Sequence, residues 1–201
     1  MVAHRRTRDR DSVRLALIDA AREVLAREGY DGLTIRRVAE RAEYSLGTVY
    51  GYFADKDDLL YSLVHEDFTR LTERLRAIRE THEGAAAVRE MLLSYAQMGL
   101  EQPESYQVMF MFRPKLARRN ASDESGEHAY SIFRSCVIAA MERGEFRRMN
   151  PDVVAQILWA AIHGLVSLRL TLTEFSWEDV DHLAETLVDA EIRGLAPDRG
   201  I

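Results

Sequence analysis

Cysteine and lysine are the scarcest chemically reactive residues of this sequence. Its 201 residues include one cysteine, Cys136, and two lysines, Lys56 and Lys115. A single cysteine excludes a disulfide within the chain and a cluster of thiolate metal ligands. Apart from the two lysines, all of the 27 basic residues are arginine, so the guanidinium group carries nearly all of the positive charge.

Long hydrophobic runs are also lacking. The longest, Ile157–Leu168, is interrupted by His163 and falls short of the ~18 apolar residues that a membrane span needs. The basic N-terminal stretch is not followed by an apolar segment, which argues against a signal peptide. We therefore expect a soluble protein located in the cytoplasm.

The usual signatures of catalysis and cofactor binding are missing. The histidines are scattered, and none forms the H-E-x-x-H spacing of zinc enzymes. The sequence has no glycine-rich phosphate loop, and Cys136 lies in an apolar stretch where thiols are usually inert. We predict no catalytic residue, no bound metal and no cofactor, and an all-helical enzyme is the least favoured alternative.

Charge is distributed unevenly along the chain. The net charge is -6, but residues 1–53 hold ten arginines against eight acidic residues, a balance of +2. The remainder therefore carries a balance of -8. A basic front end on an acidic body indicates that only the front end meets a polyanion such as nucleic acid.

Helical spacing of apolar residues predicts an all-α fold with about nine helices, since no segment alternates with the period of a strand. The predicted helices span about 12–28, 35–42, 45–53, 55–81, 84–101, 103–112, 126–143, 151–173 and 177–193. Gly29 ends the first helix, and Thr34, Ser45 and Asp55 cap the next three. The polar segment 115–126 is predicted to be a mobile loop.

The first three helices predict a helix-turn-helix domain, because the last two are short and separated by a tight turn at residues 42–44. We place this domain at residues 1–55, with 1–11 as a flexible arm. Residues 56–201 form the predicted helical effector-binding and dimerisation domain.

The stretch SLGTVYGYF, residues 45–53, is a poor helix former, because each interior glycine costs about 1 kcal/mol relative to alanine. A helix that enters the major groove explains this composition. Val49 and Phe53 supply an inward face, and the glycines let the backbone approach DNA. The hydroxyl groups of Thr48, Tyr50 and Tyr52 are left to donate to phosphate oxygens.

The runs 18–42 and 45–60 resemble the DNA-binding domain of the TetR/AcrR family of transcriptional regulators. The glycine, aromatic and Lys-acid positions are all in register over more than forty residues. The resemblance implies a set of DNA-contacting residues: Arg36, Ser45, Gly47, Thr48, Tyr50, Tyr52 and Lys56. We add Leu46, which stands where many members have a polar or basic residue.

The turn departs from the family pattern, with Ala-Glu-Tyr-Ser where many members have Ala-Gly-Val-Ser. A residue other than glycine is costly in a left-handed turn, and we expect Tyr44 to pack beneath the turn in compensation. At Leu46, base reading would be apolar, for example against a thymine methyl group.

The run Trp159–Leu168 resembles the Trp…His-Gly (WHG) motif of one C-terminal subgroup of the family. Trp159 and His163 share a helix face, and Gly164 permits close approach of another helix. For His163 two interpretations stay open: a buried imidazole bonded to a carbonyl or carboxyl group, or a ligand contact.

Apolar stripes on the last two helices exceed what the core of a small domain needs, which indicates a partner surface. The resemblance implies a four-helix bundle across a two-fold axis, which also presents two recognition helices to one duplex. The predicted homodimer interface comprises Ile157, Ala161, Gly164, Leu165, Leu168, Leu183, Leu187 and Val188.

Methionine and aromatic residues between the two ends form either ordinary core or the wall of a ligand site, and the resemblance favours the second interpretation. The scarcity of charge along residues 91–111 indicates an apolar or aromatic effector. The predicted ligand-binding residues are Tyr95, Met98, Met109, Phe112, Phe133, Cys136, Trp159 and His163.

These features predict a dimeric TetR-like transcriptional repressor that binds a palindromic operator in double-stranded DNA and is released by a small effector. The alternative is a constitutive DNA-binding regulator without a small-molecule effector.

Overall fold

The chain is all-helical in the part that the computed structural model describes. The structure describes residues 2–111 and 121–197, with side chains from Arg10 and, after the gap, from residue 126. The α-helices are α1 (Val2–Gly32), α2 (Ile35–Arg41), α3 (Leu46–Tyr50), α4 (Lys56–Thr81), α5 (Gly84–Glu101), α6 (Pro103–Tyr106), α7 (Ala121–Glu142), α8 (Pro151–Thr171) and α9 (Val180–Leu195). A π-helical turn, Gln107–Met111, follows α6. The predicted fold class is confirmed.

The chain divides into two compact units. The first comprises Met1–Asp67 and Gln102–Ser122, and the second comprises Phe68–Glu101 and Asp123–Ile201. The sequence places a boundary after residue 55, at the start of α4, whereas the division between compact units falls inside that helix. One helix therefore contributes residues to both units.

The first unit is built around α1. Its buried stripe begins at Leu17 and Ile18, which have no exposed surface, and continues to Leu25. Helical geometry is interrupted at Gly29, whose φ of 68° and ψ of -176° suit glycine alone. The predicted end of the first helix at Gly29 is thus confirmed as a break. It turns the chain so that Leu33 is fully buried.

Several predicted bounds differ from the structure. Helix α1 begins at Val2, so the backbone of the predicted arm 1–11 is helical from residue 2 onward, which arginine favours and no glycine or proline interrupts. Helix α7 begins at Ala121, so the last part of the predicted loop 115–126 is helical as well. Phe112 and the first part of that loop lie outside the described residues.

A buried ion pair joins α1 to the first half of α4. Arg22 Nη2 lies 2.6 Å from Asp67 Oδ1, and Arg22 Nη1 lies 2.6 Å from Asp19 Oδ1. Asp67 is 4% exposed, and its Oδ2 atom has no hydrogen-bond partner among the described residues. Because a buried charge is costly without its counter-charge, this pair holds α1 and α4 in one arrangement.

Ion pairs link the helices of the second unit. Arg134 on α7 binds Asp152 on α8 through two nitrogen atoms: Nε lies 2.5 Å from Oδ1, and Nη2 lies 3.0 Å from Oδ2. This contact holds the pKa of the Asp152 carboxyl below its usual value. Arg89 on α5 binds Asp189 on α9 at 2.7 Å. These contacts supplement an apolar core that includes Val88, Met91, Val137, Leu158, Ile162 and Val166.

The helix α2 ends in a Schellman turn. The Tyr44 amide donates to the Ala39 carbonyl at 3.0 Å, and the Glu43 amide donates to the Glu40 carbonyl at 3.4 Å. Glu43 occupies the left-handed position of this turn, with a φ of 59°. Tyr44 is 38% exposed, so the expectation that it packs beneath the turn is wrong. The two backbone hydrogen bonds hold the turn instead.

We expect Glu43→Gly to stabilise the protein by about 0.5–1 kcal/mol, because glycine adopts the left-handed conformation without the ~1–2 kcal/mol steric cost, less its greater entropy when unfolded. Urea unfolding monitored by circular dichroism measures this change. Glu43→Ala is the matched control: it removes the same carboxylate but keeps the strained backbone, so it should bring no such gain. Equal stability of Glu43→Gly and Glu43→Ala would contradict the assignment of strain.

Candidate nucleic-acid interface and effector site

The helix α3 has only five residues and is held by its caps and its inward side chains. Ser45 Oγ accepts from the Thr48 amide at 3.0 Å, and the Gly51 amide donates to carbonyls of the last turn. Val49 is fully buried and Phe53 is 1% exposed. The predicted N-cap and the predicted inward face are confirmed.

The outward side of α3 presents hydroxyl groups, an apolar side chain and open backbone. Tyr50 is 58% exposed and Leu46 is 45% exposed, and Ser45 and Gly47 are also exposed. Thr48 is half-buried, with its Oγ1 atom 2.9 Å from Ser45 Oγ. A surface of this composition suits phosphate oxygens and base edges.

Gly47 within α3 and Gly51 at its C-cap have different roles. A Cβ atom at Gly47 would meet only Ser45 Oγ, at 3.7 Å, so packing within the chain does not require glycine there. A Cβ atom at Gly51 would lie 3.1 Å from the Thr48 carbonyl oxygen, which is tighter than ordinary contact. Gly51 therefore serves the helix end, while Gly47 leaves the outer backbone uncovered.

Two predicted DNA contacts have partners within the chain. Arg36 on α2 binds Glu40 at 3.0 Å, but its side chain is 79% exposed, and such surface pairs are weak enough to be exchanged for a phosphate. Lys56 Nζ donates to the Tyr30 carbonyl at 2.8 Å and lies 4.3 Å from the centroid of the Tyr30 ring. This contact explains a cation at the start of α4 without a nearby anion.

Three of the predicted ligand-binding residues meet in the second unit. Tyr95 Oη lies 2.9 Å from His163 Nδ1, and the Trp159 and His163 rings are 6.2 Å apart. On the other side of the imidazole, Ser167 Oγ lies 3.2 Å from Nε2. His163 is half-buried, and the partners of both ring nitrogens are hydroxyl groups instead of the expected carbonyl or carboxyl group. Its contact with a ligand stays a prediction.

Partial burial favours the neutral form of the His163 imidazole. Burial lowers the pKa of His163, because the charged form loses hydration. A neutral imidazole has one donor and one acceptor nitrogen, so His163 can bond to Tyr95 and Ser167 at once when one hydroxyl group donates a hydrogen bond to the ring and the other accepts one from it. The result is a polar chain of three side chains among apolar helices.

The other predicted ligand-binding residues are dispersed. Phe133 and Cys136 on α7 are buried, and burial raises the pKa of the Cys136 thiol. Met98 on α5 is half-buried. Met109 is half-buried in the π-helical turn and belongs to the first unit.

No feature of the sequence singles out Tyr130, which the structure places beside this group. Its ring lies 6.2 Å from the Trp159 ring, and its buried hydroxyl has no hydrogen-bond partner among the described residues. Ser167 could have been found, since it lies one turn after His163. Among the described residues, no three His, Cys, Asp or Glu side chains are grouped to hold a metal ion.

Of the eight predicted dimer residues on α8 and α9, two are exposed, five are half-buried and one is buried. Ile157 and Leu168 are 52% and 49% exposed. Half-buried side chains occur at Ala161, Gly164, Leu165, Leu183 and Leu187. Val188 is 1% exposed because it packs inside its own chain, so it is a core residue and not a surface one.

By length and composition alone, α8 is apolar enough to cross a membrane. Only 28% of its most apolar 18-residue stretch is buried inside the chain. The polar His163 and its partner Ser167 lie within that helix. The composition of α8 therefore reflects an apolar helix with a large uncovered face.

Family comparisons agree with this architecture. Residues 17–63 match the model of bacterial regulatory proteins of the tetR family, which covers the helix-turn-helix and the start of α4. Residues 88–191, more than half of the chain, match the tetracyclin repressor-like C-terminal domain. The chain belongs to the TetR family.

Relatives of this TetR-family protein are similar over nearly their whole length. The HTH-type transcriptional repressor Rv1474c of Mycobacterium tuberculosis is 29% identical over 180 residues, which are 87% of this chain and 88% of the relative. A protein of unknown function from Rhodococcus sp. RHA1 superposes with a TM-score of 0.81 at 25% identity, over 92% of this chain and 96% of that one.

A third comparison extends the fold to a structure with a bound molecule. The transcriptional regulator FadR from Bacillus subtilis, solved in complex with stearoyl-CoA, superposes with a TM-score of 0.76 at 20% identity, over 90% of this chain and 98% of that one. The TetR-family protein described here is a transcriptional regulator, and proteins of this family are regulators and not enzymes.

We expect acid to destabilise this regulator partly through His163. A histidine whose pKa is lowered by folding binds protons more readily when unfolded, so its contribution is lost as pH falls through its unfolded pKa of about 6.5 toward the folded value. The parent should therefore lose more melting temperature between pH 7.5 and pH 5.5 than His163→Gln, which cannot titrate. If the melting temperatures of the two proteins fell equally over this pH range, His163 would not be a source of the acid sensitivity.

Proposed function

We propose that this TetR-family regulator is a dimeric repressor in the cytoplasm that binds a palindromic operator through α3 and is released by a small apolar or aromatic effector. The single observation that supports this function best is the construction of α3. Its inner side chains are completely buried, and its outer side presents hydroxyl groups and uncovered backbone. A helix so short gains nothing in stability from that outer composition.

The proposed DNA contacts divide by chemistry. Hydroxyl groups and backbone amides would bind phosphates, and Leu46 would lie against a base. Arg36 is exposed enough to leave Glu40 for a phosphate or a guanine edge. Lys56 acts through Tyr30, by holding the start of α4 in place. The proposed contacts are Arg36, Ser45, Leu46, Gly47, Thr48, Tyr50 and Tyr52.

We expect Tyr50→Phe and Thr48→Ala each to weaken operator binding by about 5- to 100-fold. A hydrogen bond is worth about 0.5–1.5 kcal/mol, and each change removes one from both subunits. Gel shift or fluorescence anisotropy would measure the affinity for a duplex that the parent protein selects from a random-sequence pool. Tyr130→Phe, which removes a hydroxyl from the second unit, is the control and should bind as the parent does. Parent-like binding of both α3 variants would remove these residues from the proposed interface.

The proposed dimer rests on the uncovered face of α8. Ile157 and Leu168 stand about half exposed, and a Cβ atom at Gly164 would meet nothing within 4 Å in its own chain. A second copy would cover this face in a four-helix bundle of two α8 and two α9 helices. The proposed interface comprises Ile157, Ala161, Gly164, Leu165, Leu168, Leu183 and Leu187, without the buried Val188.

We expect Ile157→Glu to convert the dimer into a monomer that binds the selected duplex weakly, because a charge buried in an apolar interface lacks a partner. Sedimentation velocity measures the mass in solution. Leu15→Glu is the matched control for the mass alone, since Leu15 is an exposed leucine on α1, 42% exposed, outside the proposed dimer interface. A dimeric Ile157→Glu variant, or a monomeric parent, would contradict the proposed interface.

The proposed effector site centres on Tyr95, Trp159 and His163. Their hydroxyl, indole and imidazole groups offer few polar contacts within apolar helices, which suits an apolar or aromatic molecule with a small polar group. The FadR relative, whose bound stearoyl-CoA carries a long acyl chain, supports an apolar effector. Trp159 and His163, together with Gly164, support membership of the Trp-His-Gly subgroup.

The wider ligand set remains part of this proposal. Met98, Phe133 and Cys136 lie on helices of the same unit. Met109 belongs to the other unit, so its inclusion rests on the sequence alone. Because α4 has residues in both units, an effector that displaces its second half would also strain the pair of Arg22 and Asp67 in the first. Such a displacement would change the spacing of the two recognition helices.

A further inference from the structure

We propose that Arg10 on α1 is a phosphate-contacting residue that the Tyr52 ring holds beside the recognition helix. This proposal deepens the proposed function and rests on it. It adds a helix outside the helix-turn-helix motif to the DNA-binding surface.

The described side chains of α1 before Leu17, from Arg10 to Ala16, contribute little to the core. Burial along this helix begins at Leu17, while residues 10–12, 15 and 16 are exposed, Leu15 by 42%. A segment that buries so little apolar surface gains little stability from packing. Packing within the chain therefore does not explain the arginines of this segment.

Two contacts place this segment next to the recognition helix. Arg10 Cζ lies 5.8 Å from the centroid of the Tyr52 ring, and Arg14 Cζ lies 5.9 Å from the centroid of the Phe53 ring. Tyr52 and Phe53 directly follow the C-cap of α3. Because Arg10 and Arg14 are one turn apart on the same helix face, both contacts form together.

The two arginines have different surroundings. Phe53 is 1% exposed, so Arg14, itself half-buried, lies on the edge of the core. Arg10 is exposed, and Tyr52 is only half-buried. A guanidinium group that lies over a ring uses its flat face, and its N–H donors point outward in its plane. Arg10 is therefore held in position with donors available to an anion.

Charge and chemistry identify that anion as a DNA phosphate. Residues 1–14 contain five arginines against two aspartates, a balance of +3 in a protein whose net charge is -6. The arginines of α2, by contrast, bind carboxylates: Arg36 binds Glu40, and Arg37 binds Glu28. A guanidinium group matches phosphate geometry well and carries no sequence information there. We therefore expect Arg10 to add affinity for any duplex.

Salt dependence tests this role, because each phosphate contact releases counterions and contributes about 0.9 to the slope of log K against log[salt]. In a dimer, Arg10→Gln should lower the magnitude of that slope by about 1.8 and weaken binding about 30-fold at 0.15 M salt. Anisotropy titrations between 0.05 and 0.3 M salt, about the working range of such assays, measure both quantities on a duplex selected by the parent protein. Arg10→Lys keeps the charge and should restore most of the slope.

A merely structural Arg10 would give another pattern. An unchanged slope in Arg10→Gln, or equal loss of slope in Arg10→Gln and Arg10→Lys, would overturn the proposal. Arg148→Gln, which removes an exposed arginine from the second unit, should keep the parental slope. If the parent itself binds no duplex at low salt, the proposed function fails first. If the parent binds and only Arg10 proves silent, the inference alone fails.

Discussion

The burial of Val49 and Phe53 is the constraint on which the proposed DNA-binding surface depends. Helix α3 has five residues, far fewer than an isolated helix needs in water, and its composition includes glycine at Gly47. Its geometry therefore comes from two inward side chains and from caps at Ser45 and Gly51. Because stability is supplied from inside, the outer side is free to carry groups that favour contact with DNA over helix formation.

The elements around α3 are also held by contacts within the chain. The Schellman turn with Glu43 sets the direction in which α3 leaves α2, and the contact of Lys56 with Tyr30 fixes the start of α4. The buried pair of Arg22 and Asp67 then ties α4 to α1. Lys56 and Arg36, which the sequence predicts as DNA contacts, have hydrogen-bond or ion-pair partners within the chain. Arg10, which lies on a ring instead of a carboxylate, is the contrasting case.

Local features of the candidate site could be predicted from the sequence, because they depend on neighbours within one turn. Ser45 caps α3 and Asp55 caps α4, where its Oδ1 accepts from the Asp58 amide at 2.8 Å. Contacts between distant residues could not be predicted in this way. Tyr95 is 68 residues from His163 in the chain, and only packing brings the two side chains to 2.9 Å. The hydroxyl partners of His163 follow from that packing.

By itself, the sequence determined the all-helical fold, the helix-turn-helix, the inward face of α3 and the family, since periodicity, caps and contiguous motifs are properties of the chain read in order. Only the tertiary structure decided which candidates have partners. It buried Val188 inside its own chain, exposed Tyr44, directed Lys56 to the Tyr30 carbonyl and set Arg10 on Tyr52. The physical reason is that exposure and pairing depend on residues far apart in the chain, which folding alone brings together.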